Sequence, residues 1–144
     1  MRKRAARQEV IRRIVRREHV RTQRDLVDHL RTLGFPCTQA TVSRDITELG
    51  LKKLHEGYYV LSEDLHLQRM VGDLVASVVA TDRFVIVKAS SGTGQGVAAA
   101  LDAADREELL GTIAGDDTIF AIAGSAAEAK VVAEYLERFM TQRR

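Results

Sequence analysis

Four polar side chains within six residues, Gln39, Thr41, Ser43 and Arg44, have the chemistry to read the edges of nucleic-acid bases. A Gln amide carries a donor and an acceptor that match adenine, and an Arg fork matches guanine or a phosphate. The hydroxyls of Thr41 and Ser43 bond phosphates or bases. Farther along, Asp116 and Asp117 are adjacent carboxylates, with Asp102 upstream. Paired carboxylates can hold a divalent cation or act as acid and base. The rest of a catalytic set is missing around them. His19, His29, His55 and His66 all lie in or near the first half, and the lone Cys37 has no triad pattern. The residues point away from an enzyme, and no metal site is expected. The Gly- and Ser-rich run 90–96 lacks the Lys and hydroxyl that end a phosphate-cradling loop.

Helices and a hairpin would position the first set. Residues 5–18 place Val10, Ile11, Ile14 and Val15 on one apolar stripe, with Arg12, Arg13, Arg16 and Arg17 elsewhere on the wheel. Thr22 followed by Asp25 is a capping-box-like start for a second helix. That helix carries Leu26, Val27, Leu30 and Leu33 and stops at Gly34. Phe35-Pro36 then forces an extended chain. Thr38 can cap a third helix over 39–49, with Ala40, Val42, Ile46 and Leu49 as its apolar face and Gly50 as its stop. Two strand-like runs, 51–55 and 58–61, flank Glu56-Gly57 and predict a hairpin. Three helices and a hairpin suit a winged helix-turn-helix, whose third helix enters the major groove of double-stranded DNA. Gln39, Thr41, Ser43 and Arg44 would face that groove, while Lys52, Lys53 and His55 lie where a wing tracks the backbone. The four arginines of the first helix would add a non-specific attraction, although a basic helix face is ordinarily just a solvated one.

The pattern changes after residue 61. Residues 62–69 are polar and predict a linker. Runs 74–80 and 84–87 are strand-like around Thr81-Asp82-Arg83, and a helix is predicted over 95–104. Two more strands, 109–114 and 118–122, flank Gly115-Asp116-Asp117, and an amphipathic helix covers 126–140. The order ββαββα suits a two-layer α+β domain with two helices on one face of an antiparallel sheet. Its strands need burial on the other face or at a subunit interface. The expected organisation is a DNA-binding domain over 1–61, a linker over 62–69 and an oligomerisation domain over 70–144.

Charge divides the chain in the same place. Residues 1–61 carry 14 Lys and Arg against 7 Asp and Glu, whereas residues 62–144 carry 8 against 13. The net charge of +2 over 144 residues therefore hides a basic half that suits a polyanion and an acidic half that suits a cation. With 45% apolar and 29% charged residues the composition is that of a folded protein. One cysteine cannot form an internal disulfide, which points to a reducing compartment. No apolar run approaches the roughly 18 residues of a membrane span. The basic start lacks the apolar core of a secretory leader. A cytoplasmic location without a membrane partner is expected.

The run TQATVSRDITELGL, residues 38–51, resembles the recognition segment of the bacterial arginine repressor family. GTIAGDDTIF, residues 111–120, resembles the signature of that family's C-terminal domain, and SGTGQ (91–95) and VAAALD (97–102) also follow its pattern. The resemblance spans nearly the whole chain in order and spacing. It implies a transcriptional regulator of arginine biosynthesis and catabolism genes that binds palindromic operators, with L-arginine as corepressor and no other cofactor. It implies a homo-hexamer of two trimers, with the ligand held where they meet. It also implies that Asp116 and Asp117 hold the ligand cation, and that Gln95 and Asp102 engage the ligand or its α-groups. Carboxylates suit a guanidinium fork. Gly94 and Gly96 are departures expected to loosen the helix start beside Gln95. Taken without the resemblance, Gly115-Asp116-Asp117 is also an ordinary hairpin turn. A ligand-independent paralogue and an architectural accessory factor in site-specific recombination are the alternatives that need the same DNA contacts.

Overall fold

Apolar residues at helical spacing build the first half of the computed structural model, which describes residues 2–140. The chain forms two compact units that divide between Ser62 and Glu63. In the first, helices α1 (Arg2–Arg17), α2 (Gln23–Thr32) and α3 (Gln39–Leu49) precede strands β1 (Leu51–Lys53) and β2 (Tyr59–Leu61). Ile11, Leu26, Leu30, Val42 and Leu61 are fully buried in its core. Each such side chain contributes about 1.5–3 kcal/mol by leaving water. The expected caps form. Thr22 Oγ1 accepts from the Asp25 N–H at 3.0 Å, and Thr38 Oγ1 accepts from the Thr41 N–H at 3.2 Å. Gly50 ends α3 in the left-handed region at φ +67°.

The hairpin differs from expectation in its turn. The strands pair Leu51 with Leu61 and Lys53 with Tyr59, so residues 54–58 form a five-residue loop in place of a two-residue turn. Gly57, at φ +92°, lets the loop fold back, and its N–H donates to the Leu54 carbonyl at 2.9 Å. The Tyr59 N–H donates to Val20 O at 3.0 Å, and the His19 and Tyr58 rings stack with centroids 4.0 Å apart. The hairpin is thereby tied to the chain between α1 and α2.

The second unit contains α4 (Ser62–Leu74), β3 (Val75–Thr81), β4 (Phe84–Ala89), α5 (Gly94–Ala103), β5 (Leu109–Ala114), β6 (Thr118–Ala123) and α6 (Ala126–Met140). Residues 62–69, expected as a linker, are helical. Leu67 and Val71, four apart, bury a stripe of α4, and Glu63 and Asp64 suit the positive end of its dipole. An additional helix therefore precedes the ββαββα order. The sheet runs β3-β4-β6-β5, antiparallel throughout. One face is covered. Val85, Val87, Ile119 and Ala121 share a core with Val97 and Leu101 of α5 and Val132 and Leu136 of α6.

The other face is open. Val79 pairs with Ile86, Ile86 with Phe120, and Phe120 with Ile113, which makes one apolar row across all four strands. Ile113 is 73% exposed and Val79 54%. Phe84 and Ile122, a second cross-strand pair, are exposed beside that row. Among the described residues, no helix is long and apolar enough to cross a membrane.

Candidate functional site

The first candidate surface is the outer face of α3. Val42 and Asp45 are buried, and Ile46 and Leu49 pack on the core, so the opposite side of the wheel faces outward. Ser43 and Arg44 are exposed there, and Gln39 is exposed at the first position of the helix. Thr41 is placed differently. It is half-buried at the flank, with its hydroxyl 3.0 Å from that of Thr38. Ala40 and Thr47, not singled out from the sequence, complete the exposed face. A small apolar side chain and a hydroxyl suit a thymine methyl and a base edge. Lys52 and Lys53 are exposed on β1, and the Lys53 ammonium lies 5.7 Å from the Tyr59 ring centroid. His55 is exposed in the loop. On α1, Arg13 and Arg17 are exposed, while Arg12 and Arg16 are half-buried.

Sequence reasoning missed what holds α3 from behind. Arg7 of α1 grips Asp45 with two bonds, Nε to Oδ2 at 2.5 Å and Nη2 to Oδ1 at 2.9 Å. Gln8 donates to Asp45 Oδ1 at 3.0 Å and to Glu48 Oε2 at 2.7 Å, and Arg4 pairs with Glu48. Burial pushes the Asp45 carboxyl up, but the bonds and charges of Arg7 and Gln8 outweigh it and hold the group below the usual carboxylate range. The bond to Asp45 in turn raises Arg7. One signal was readable: Asp45 sits three residues after Val42 and four before Leu49, an acid on the apolar side of the wheel. Its partner, 38 residues away, was not.

The second candidate surface is the β5–β6 turn. The Gly115 N–H donates to the Thr118 carbonyl at 2.8 Å, which leaves Asp116 and Asp117 at the tip, both exposed. Their backbone is fastened on both sides. The Gly94 N–H donates to the Asp116 carbonyl and the Ala89 N–H to the Asp117 carbonyl, each at 2.8 Å. Ser91 Oγ donates to Asp116 Oδ2 at 3.2 Å. Thr118 Oγ1 donates to Asp117 Oδ1 at 2.9 Å and accepts from Lys88 Nζ at 2.8 Å.

Gly94 starts α5 against this turn, so the glycine expected to loosen the helix is instead required there. A Cβ on it would stand 2.2 Å from the Gly115 carbonyl oxygen. Its N–H is committed to Asp116 and is not open to a ligand. Gln95, the next residue, is exposed beside the turn. Asp102 lies two helical turns farther, about 10 Å along the axis. It is exposed and accepts from Thr112 Oγ1 at 2.8 Å. The fold thus brings Gln95 and Asp116 together through Gly94 and sets Asp102 at the other end of α5. Exposed carboxylates with their backbone locked can receive a forked cation with little reorganisation. Among the described residues, no three His, Cys, Asp or Glu side chains converge to hold a metal ion.

Two family models match the two units. One, described as arginine repressor, DNA binding domain, matches residues 2–67, and the other, arginine repressor, C-terminal domain, matches residues 71–138. Curated relatives match over most of the chain. An arginine repressor of Thermus thermophilus is 42% identical over 139 residues, which cover 89% of this chain and 85% of the relative. That of Desulforudis audaxviator is 42% identical over 142 residues, covering 92% and 95% respectively. That of Caldicellulosiruptor bescii is 44% identical over 137 residues, covering 88% and 90%.

Proposed function

The chain belongs to the arginine repressor family, and we propose from that premise how its two surfaces work as an L-arginine-responsive transcriptional regulator. The observation that carries the reading is the presence, in one chain, of an outward base-reading helix face and an outward carboxylate pair. α3 enters the major groove of palindromic operators of arginine biosynthesis and catabolism genes. Gln39, Ser43 and Arg44 meet base edges, and Thr41, Lys52 and Lys53 meet phosphates. L-Arginine is the corepressor. Asp116 and Asp117 accept its guanidinium, and Gln95 and Asp102 serve the ligand or its α-groups. The protein works in the cytoplasm, without a membrane partner.

Self-association joins the two events. The apolar row Val79–Ile86–Phe120–Ile113 supports an assembly, because an apolar face of this kind is ordinarily covered in solution. We infer a homo-hexamer of two trimers, with the acidic turns near the seam. Apposed carboxylates repel, and a bound cation relieves that repulsion. L-Arginine would then stabilise the assembly, and several DNA-binding units acting together raise affinity by avidity. The coupling is reciprocal, so operator DNA also tightens L-arginine binding.

The deciding experiment is duplex binding by the full chain with and without L-arginine, at two salt concentrations. Citrulline keeps the shape without the charge, and lysine keeps the charge without the fork. A gain specific to L-arginine that survives the higher salt is expected. Binding that ignores L-arginine and collapses with salt would favour a ligand-independent or architectural role.

A further inference from the structure

The helix proposed to read bases carries a charge on its inner side. Asp45 is 1% exposed and directly follows Arg44. Burying a carboxylate is costly unless it is paired. Even paired, such an ion pair ordinarily stabilises no more than apolar side chains of the same volume. A different benefit is needed to account for it. The other anchors of α3, Val42, Ile46 and Leu49, make non-directional contacts. They hold the helix against the core but resist small rotation or sliding only weakly. A two-bond fork between a planar guanidinium and a carboxylate is directional and tolerates little of either. Gln8 bridges Asp45 to Glu48, and Arg4 also takes Glu48, so the grip continues one turn along the helix.

We propose that the Arg7–Asp45 fork, completed by Gln8, is the register pin that fixes the rotation of α3 and so aims Arg44 and Ser43 at base edges. Arg7, Gln8 and Asp45 are then positioning residues for sequence readout. The Arg7 side chain is 17% exposed and committed to Asp45, which leaves its fork unavailable to a phosphate. The inference rests on the reading of α3 as the recognition helix. It predicts that loosening the pin lowers discrimination between DNA sequences and spares non-specific attraction.

The test uses the full chain with saturating L-arginine. The parent protein first selects its best duplex from a random-sequence library. Affinity is then measured for that duplex and for a scrambled one of equal length. Arg7→Lys keeps the charge and removes the fork. Its affinity for the selected duplex should fall about tenfold or more, the scale of one misaligned base contact. Its affinity for the scrambled duplex should stay within about twofold of the parent's, with the same salt slope, because no phosphate contact is lost. The double variant Arg7→Met, Asp45→Leu replaces the pair by apolar side chains at unchanged net charge, a change that cores tolerate. It should unfold cooperatively by circular dichroism and show the same loss of discrimination. A folded double variant with the parent's discrimination overturns the proposal, as does an equal loss by Arg7→Lys on both duplexes. A parent protein that selects no duplex overturns both this inference and the reading of α3 beneath it.

Discussion

At the scale of single residues, the two surfaces should fail independently. Arg44→Ala removes an exposed fork from α3 and touches no core contact. It should weaken binding to the selected duplex by about 1–3 kcal/mol, read by fluorescence anisotropy, with L-arginine binding unchanged. Asp117→Ala removes one acceptor for a guanidinium and should weaken L-arginine binding by about 1.5–3 kcal/mol, read by calorimetry, with assembly retained. Normal calorimetric binding by that variant would remove Asp117 from the ligand site. Ser43 and Arg44 were legible in the sequence because periodicity places them opposite Val42 and Leu49. The Arg7–Asp45 fork was not legible, since nothing local links an arginine on α1 to an aspartate on α3. The half-buried setting of Thr41 was hidden for a related reason: its hydroxyl meets the cap of its own helix.

At the scale of elements, the contact between α5 and the β5–β6 turn gives the sharpest expectation. Gly94→Ala would drive a methyl to 2.2 Å from a backbone oxygen, where no flexible side chain can yield. The second unit should lose about 3 kcal/mol, the upper range for overpacking, in urea unfolding. Gly96→Ala is the control, because its added carbon would meet only the mobile end of Met70 at 3.3 Å. Helices α2 and α3 were legible to the residue at their starts, since Thr22 and Thr38 announce their own caps. The hairpin was legible as an element, but its loop was not. Glu56-Gly57 reads as a two-residue turn, yet the chain pairs only from Lys53 to Tyr59 because Tyr59 also bonds Val20. α4 was read as a linker because its first eight residues are mostly polar. The stripe that makes it a helix, Leu67 and Val71, reaches the core only once the sheet exists.

At the scale of the whole molecule, the open sheet face sets the expectation. Phe120→Glu places a charge at the middle of the apolar row and should yield monomers in sedimentation. Loss of avidity should then weaken duplex binding by about a hundredfold or more, even though α3 is untouched. Unchanged mass would move the interface away from this face. The two-half charge balance was plain in the sequence, and so was the demand for a partner surface. The identity of that surface was not, because it needs the register that pairs Val79, Ile86, Phe120 and Ile113. That row also bears on how the protein is made. A newly folded protomer presents it together with the sheet's two outer strands, β3 and β5, before any second copy arrives. Correct assembly is then a bimolecular step in competition with misassembly through the same sticky surface. Recovery from denaturant should therefore rise with chain concentration, pass through an optimum and fall, so that synthesis rate becomes a determinant of how much regulator a cell obtains.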